Sequence, residues 1–120
     1  MHAGSRLRPG RWPVAEQGAL EIQHADEDDH VVLYLAGDAD IHTAPPLRTE
    51  LASLVDRGKP VVVDLSALAF IDSTTIGILV AALKRFRAGG SDLTLRRPVP
   101  RVRKVFEITG LTRVFEIGDD

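Results

Sequence analysis

VVVDLSALAFIDSTTIG, residues 61–77, is the most informative stretch of this 120-residue sequence. Residues 61–65 are a largely β-branched run, with the composition of a strand buried on both faces of a sheet. After a short link, apolar residues recur at i, i+3, i+4, i+7 and i+10, which forms one continuous stripe on a helix. These are Ile76, Leu79, Val80, Leu83 and Phe86. The stretch therefore predicts a buried strand followed by a helix, which Gly89-Gly90 ends.

Upstream of this unit, the sequence predicts two strands and a helix. The strands cover residues 19–25 and 31–35, and a charged hairpin at residues 26–29 joins them. Gly37-Asp38-Ala39-Asp40 then breaks the strand pattern. Thr43 is predicted to N-cap a first helix that has prolines in its first turn and runs to about Asp56.

Downstream, the sequence predicts a short strand, a third helix and a final strand. Leu93 and Leu95 alternate with polar residues as a strand, and residues 114–117 form the last one. The third helix, closed by Gly110, is marked by Val102, Val105, Phe106 and Ile108.

The order of these elements predicts one α/β domain over residues 18–120. Strands that alternate with helices imply a mixed, mainly parallel sheet of four to five strands with three to four helices packed on it. Residues 1–17 have no periodic apolar pattern. They are therefore predicted to be a disordered N-terminal tail, because they cannot bury enough surface to offset the entropy of ordering.

The composition argues against several classes of protein. The chain has a formal net charge of −2, with 44% apolar and 27% charged residues, which provides no general attraction to nucleic acid. It contains no cysteine, so disulfides and cysteine metal sites are absent. No stretch of 18 apolar residues and no signal-peptide core occurs. We therefore expect a cytoplasmic protein with no direct DNA binding and no membrane segment.

Three consecutive hydroxyl residues, Ser73, Thr74 and Thr75, stand where the second helix begins, directly after Asp72. The N–H groups of a first helical turn lack partners and the helix dipole is positive there, so a phosphate would find hydrogen-bond donors. Asp or Ser before an apolar helix is also the pattern of an ordinary N-cap. The residues alone leave both interpretations open.

Other polar groups have simpler interpretations. Three of the four histidines, His24, His30 and His42, lie on or beside the predicted strands but lack the spacing of metal ligands, so no metal is predicted. Asp38 and Asp40 would suit acid–base chemistry, but Gly-Asp-x-Asp is equally ordinary turn chemistry. Ser73 lacks the flanking glycines of a hydrolase nucleophile, so neither catalytic residues nor a cofactor are expected.

A basic cluster surrounds the start of the third helix. Few aromatic residues accompany it, which disfavours a nucleic-acid site. We interpret it as solvated surface or as a contact for an acidic partner. Its members are Arg96, Arg97, Arg101, Arg103 and Lys104.

Several short blocks, in this order and spacing, resemble the STAS-domain anti-sigma factor antagonists of bacteria. The resemblance covers roughly residues 19–117. The blocks are Gly37-Asp38-Ala39-Asp40, Thr43-Ala44, Val63-Asp64-Leu65-Ser66, Phe70-Ile71-Asp72-Ser73-Thr74, Gly89-Gly90 and Val105-Phe106-Glu107-Ile108-Thr109-Gly110-Leu111.

The resemblance implies a STAS-like domain that is not an enzyme but binds an anti-sigma factor and so releases a sigma factor. In that family the hydroxyl residue directly after the Asp of the helix-two turn is phosphorylated by an anti-sigma factor that is also a serine kinase. Here that residue is Ser73. We expect the protein to be a monomer or a weak dimer. The residues that the resemblance assigns to phosphorylation support and partner binding are Asp38, Asp40, Asp72, Thr74, Thr75 and Gly77.

One position departs from the family pattern. Similar proteins have glycine two residues after the acceptor, where this chain has Thr75. A β-branched residue there is expected to restrict the backbone and to fill space that a partner would use. An alternative function is therefore a ligand-sensing or transport-associated STAS domain, in which the same turn binds a nucleotide or another anion and nothing is phosphorylated.

Overall fold

The computed structural model describes residues 18–119. The predicted tail, residues 1–17, lies outside the described residues, as does the last residue of the predicted domain. Helices and strands alternate along the chain as expected. They are β1 (Leu20–Asp26), β2 (Val31–Ala39), α1 (Ala44–Arg57), β3 (Val61–Ile71), α2 (Ser73–Ala88), β4 (Leu93–Arg96), α3 (Pro100–Ile108), a 3₁₀ turn (Leu111–Arg113) and β5 (Ile117–Gly118).

The strands form one sheet in the order β1-β2-β3-β4-β5. The hairpin partners β1 and β2 are antiparallel, and every other neighbouring pair is parallel. Parallel neighbours need crossover connections, and α1 and α2 provide those on either side of β3. The predicted α/β fold with a mixed, mainly parallel sheet is confirmed.

One apolar core fills the space between the helices and one face of the sheet. Alternate residues of β2 and β3, such as Leu33 and Val63, point into it and are fully buried. Four residues of the stripe predicted for α2 are buried, and Val80 is half-buried. The helix residues with less than 2% exposure in this core include Leu47, Leu79, Leu83, Phe86, Val102 and Phe106.

Two strands are longer than the sequence predicts. Residues 37–39 were expected to break β2, but the strand continues to Ala39; β3 was expected to end at Leu65, but it continues to Ile71. The register between these strands shifts twice, between Tyr34 and Ala36 and between Gly37 and Asp38. Such β-bulges bend a strand without ending it, and Gly37 supplies the positive φ of 103° that this bend requires.

Two smaller predictions are also wrong in detail. The last strand was expected at residues 114–117, but it begins at Ile117, because residues 111–113 first form a 3₁₀ turn. Thr43 occupies the N-cap position of α1, but its hydroxyl makes no capping hydrogen bond to the helix. That hydroxyl is used in the preceding loop instead.

A buried carboxylate connects β3 to β4. The side chain of Asp64 is 1% exposed and accepts hydrogen bonds from Arg96 Nε at 2.8 Å and from an Arg97 terminal nitrogen at 2.7 Å. Ser66 donates to it from its backbone N–H at 2.9 Å and from its hydroxyl at 2.6 Å. Burial by itself raises the pKa of Asp64, but the hydrogen bonds from Ser66 and the two arginines outweigh burial and lower that pKa below its usual value.

Candidate functional site at the N-terminus of helix α2

The carboxyl ends of β2 and β3 bring two loops together at one edge of the sheet. Strand β3 ends at Ile71, and Ser73 is the first residue of α2. Strand β2 ends opposite, since Ala39 pairs with Ile71, and the loop of residues 40–43 follows it. Loops at the carboxyl ends of adjacent parallel strands are where α/β proteins usually bind their ligands. We call this region the Ser73 site, formed by residues 38–43 and 70–77.

Asp72 holds the two loops of the Ser73 site together. One carboxylate oxygen accepts a hydrogen bond from Thr75 N–H at 2.9 Å, which caps α2, as the sequence allowed. The other accepts from the backbone N–H of Ile41 at 3.0 Å. The N–H of Asp72 itself donates to Ala39 O at 3.1 Å. A single residue therefore starts the helix and fixes the loop beside it.

Asp40 shapes its own loop. Its carboxylate accepts hydrogen bonds from the backbone N–H groups of His42 at 2.8 Å and of Thr43 at 3.1 Å, which is an Asx-type turn. The N–H of Asp40 donates to the Thr43 hydroxyl at 2.9 Å, and that hydroxyl donates to Asp38 O at 3.0 Å. Asp40 therefore has the predicted turn role, whereas Asp38 lies within strand β2. The Asp38 carboxylate accepts from Gly18 N–H at 2.9 Å.

The three hydroxyl residues have different environments. Ser73 is exposed, and among residues 18–119 its hydroxyl has no hydrogen-bond partner. Thr74 is half-buried, whereas Thr75 is 0% exposed. Within the described part of the chain, the buried hydroxyl oxygen of Thr75 also lacks a hydrogen-bond partner. Of the three, only Ser73 is freely accessible to another protein.

The expectation that Thr75 fills space at the surface is wrong. Its side chain is enclosed within the fold, so it cannot occupy the place of a partner. Its backbone is helical and its N–H is bonded to Asp72, so the β-branch has not disturbed the helix start. Any effect of Thr75 on partner binding would act through the position of α2. The roles of the other predicted site residues in binding and phosphorylation stay predictions.

Two exposed apolar side chains at the Ser73 site were missed by the sequence analysis. Ile41 is 61% exposed in the loop that Asp72 anchors, and Phe70 is 44% exposed near the end of β3. Exposed apolar residues mark an interaction surface where they form a contiguous patch, whereas single ones are ordinary. The only sequence signal for Ile41 was an apolar residue between two polar ones, Asp40 and His42. The exposure of the Ile41 side chain depends on the turn that Asp40 forms.

Most of the other groups considered from the sequence lie outside the Ser73 site, and several of them have structural partners. His24 Nδ1 is 3.0 Å from a Glu50 carboxylate oxygen, and His30 Nδ1 is 2.7 Å from one of Asp29. Across residues 18–119, no three His, Asp or Glu side chains are arranged to hold a metal ion. Of the basic cluster, Arg96 and Arg97 bind Asp64, while Arg101 and Lys104 are exposed. No helix in the described range is long and apolar enough to cross a membrane.

Comparison with known proteins gives consistent matches over nearly the whole described chain. A family model described as "Mlab, STAS domain" matches residues 22–117. The anti-sigma-B factor antagonist of Listeria monocytogenes is 36% identical over 100 residues, which cover 82% of this chain and 87% of that protein.

Solved structures of anti-sigma factor antagonists also resemble this chain in fold. An anti-sigma factor antagonist from Mycobacterium paratuberculosis superposes with a TM-score of 0.77 at 25% identity, covering 84% of this chain and 86% of that one. The anti-sigma factor antagonist SpoIIAA in its unphosphorylated form superposes with a TM-score of 0.70, also at 25% identity, over 81% of this chain and 87% of its own.

Proposed function

Since this chain belongs to the bacterial family of STAS-domain anti-sigma factor antagonists, we propose that it binds a serine kinase anti-sigma factor and is switched off by phosphorylation of Ser73. Antagonism of an anti-sigma factor is a binding function, and no catalysis by this chain is needed for it. Unphosphorylated protein would hold the anti-sigma factor and so leave the sigma factor free. We further propose that it acts in the cytoplasm, as a monomer or weak dimer, without contacting DNA.

The observation that carries this proposal is the hydroxyl of Ser73, which is exposed and has no hydrogen-bond partner among the described residues, on a surface that Asp72 holds in place. Asp72 fixes the start of α2 and, through Ile41, the neighbouring loop, so both would meet a partner in a defined arrangement. A preorganised surface loses little conformational entropy on binding. The exposed side chains of Ile41 and Phe70 belong to the two segments that form the Ser73 site and add apolar area to it.

Phosphate at Ser73 would weaken this contact through charge. A phosphoserine carries about −1.5 to −2 charge at pH 7. The N–H of Thr75 in the first turn already donates its hydrogen bond to the carboxylate of Asp72, and the carboxylate of Asp40 lies in the adjoining loop. The phosphate would therefore add like charge to an interface that already contains carboxylates. A penalty of about 3 to 4 kcal/mol would be enough to release a partner held at sub-micromolar affinity.

The phosphoryl transfer belongs to the partner. The Ser73 oxygen would attack the γ-phosphorus of ATP, ADP would leave, and the hydroxyl proton would pass to a base of the kinase, which also holds Mg²⁺. This chain has to present the hydroxyl without a competing hydrogen bond, and Ser73 meets that requirement. Thr74, which is half-buried, meets it less well.

A phosphorylation and binding assay tests the proposal. The purified protein is incubated with ATP, Mg²⁺ and candidate serine kinase anti-sigma factors, and any phosphate is located by fragment mass spectrometry. We expect phosphate on Ser73, none on Ser73→Ala, and loss of kinase binding after modification. Ser53→Ala, which changes an exposed serine of α1, is the matched control and should be modified like the wild type. Phosphate elsewhere, or binding of a nucleotide to this chain with no kinase binding, would contradict the switch.

A further inference from the structure

A groove between α1 and α2 continues from the Ser73 site along the surface. It has a volume of about 340 Å³, and its floor is formed by the buried side chains of Leu51, Ile78 and Ala82. At one end it is lined by Thr74 and Gly77, which belong to the first turns of α2. We call it the α1–α2 groove. It is therefore continuous with the surface proposed above to meet the anti-sigma factor.

The charges on the α1–α2 groove are all of one sign. Arg48 of α1 and Arg85 of α2 are exposed at its rim, and none of the described residues that line it is acidic. Helix α2 carries no carboxylate along its length, whereas Lys84, Arg85 and Arg87 lie in its second half. An apolar floor between two guanidinium groups suits an apolar ridge flanked by carboxylates.

Gly77 has no structural reason to be glycine. It lies inside α2 with an ordinary helical backbone, because its φ is not among the positive ones. Within residues 18–119, a Cβ at this position would meet no atom of another element within 4 Å, so packing there does not exclude a side chain either. Glycine inside a helix destabilises it by about 0.5 to 1 kcal/mol relative to alanine. What the missing side chain does provide is an unobstructed groove rim, where the backbone of a partner can approach closely.

We propose that the α1–α2 groove is a second docking surface, which receives an acidic amphipathic helix of the anti-sigma factor and helps to select among such partners. The inference rests on the proposed function, since it places a further part of the same partner. Binding at the Ser73 site would depend on whether Ser73 is phosphorylated. Binding at the groove would depend on the charge of the partner helix. Opposite charges across an interface affect mainly specificity and association rate, and their effect weakens with added salt.

Charge reversal tests the groove. The kinase identified by the phosphorylation assay is titrated with wild-type protein and with the double variant Arg48→Glu/Arg85→Glu at low and high salt. We expect at least a tenfold loss of affinity at low salt, mostly in the association rate, and a much smaller loss at high salt. The matched control, Arg57→Glu/Arg113→Glu, makes the same charge change on exposed residues outside both the groove and the basic cluster and should bind like the wild type.

Gly77 provides a second test that does not depend on charge. Gly77→Leu should fold but bind the kinase at least tenfold more weakly, because its side chain would enter the groove rim. Gly77→Ala should raise Tm by roughly 3 to 6 °C, which confirms that glycine is not required by the fold.

The groove and the switch can fail separately. If phosphate on Ser73 releases the kinase while the groove variants bind like the wild type, the groove proposal is overturned and the switch stands. Binding that is weakened equally by the charge-reversed control variant would also overturn the groove proposal. If no anti-sigma factor binds the wild-type protein, both proposals fall.

Discussion

The carboxylate of Asp72 accepts a hydrogen bond from the backbone N–H of Ile41 at 3.0 Å, across 31 residues of sequence. The same carboxylate caps α2 through Thr75. The loop after β2 and the helix after β3 are therefore held by one side chain, immediately next to Ser73. This link explains why the exposed surface around the hydroxyl has a defined shape although the loop of residues 40–43 is short and irregular.

Replacement of Asp72 should separate its capping role from its charge. Asp72→Ala removes both hydrogen bonds and should lower the free energy of unfolding by about 1 to 2 kcal/mol. Asp72→Asn keeps an oxygen acceptor and should lose about half as much. Urea unfolding followed by circular dichroism measures both, with Asp56→Ala at an exposed position of α1 as control. Equal losses for the alanine and asparagine variants would mean that the carboxylate charge matters more than the cap.

Ile41 should contribute to binding but not to stability. Its side chain is 61% exposed, so Ile41→Ser should change the free energy of unfolding by less than about 0.5 kcal/mol. Loss of an apolar contact at the centre of an interface should weaken binding of the anti-sigma factor by about tenfold. Ile108→Ser, at a 74% exposed residue at the end of α3, is the matched control and should leave affinity unchanged. Comparable losses for the two variants would argue against the Ser73 site as the contact surface.

Thr75→Val should stabilise the protein. The Thr75 hydroxyl is buried and, within residues 18–119, unbonded, and burial of an unsatisfied polar group costs roughly 1 to 3 kcal/mol. Valine has the same shape without that cost, so we expect the free energy of unfolding to rise by about 1 kcal/mol. Kinase binding should be unchanged, because the side chain does not reach the surface. Thr74→Val at the half-buried neighbour serves as control; a destabilised Thr75→Val would show that the hydroxyl has a partner in solution.

Asp64 should make the free energy of unfolding depend on pH in the acidic range. Its pKa is lowered in the folded state, so the carboxylate stabilises the fold at neutral pH, and this contribution disappears as the pH falls below about 4. Asp64→Asn should cost about 2 to 3 kcal/mol at pH 7, because charged hydrogen bonds to Arg96 and Arg97 are lost. The difference between wild type and variant should shrink as the pH is lowered through 4. Urea unfolding at pH 7, 5 and 3 measures this, and a difference that is constant with pH would contradict the assignment.

The features of the candidate site that depend on residues adjacent in the sequence were predictable. Asp72 before an apolar helix indicated the cap, and Ser73 stands where the resemblance places the phosphoacceptor. The separate environments of Ser73, Thr74 and Thr75 were not predictable, because three adjacent residues of similar chemistry are distinguished only by what packs around them. The α1–α2 groove was missed for the same reason, since Arg48 and Arg85 are 37 positions apart and line one groove only when the two helices pack.

The sequence by itself determined the α/β class, the order of the elements and most of the core, since apolar periodicity is a local property of strands and helices. Only the tertiary structure decided how far β2 and β3 extend, because their ends pair through two register shifts that local pattern does not encode. It also decided that Ile41 meets Asp72 and that the Thr75 side chain faces inward. Contacts between residues distant in sequence depend on strand register and helix packing, and these exist only once the chain has folded.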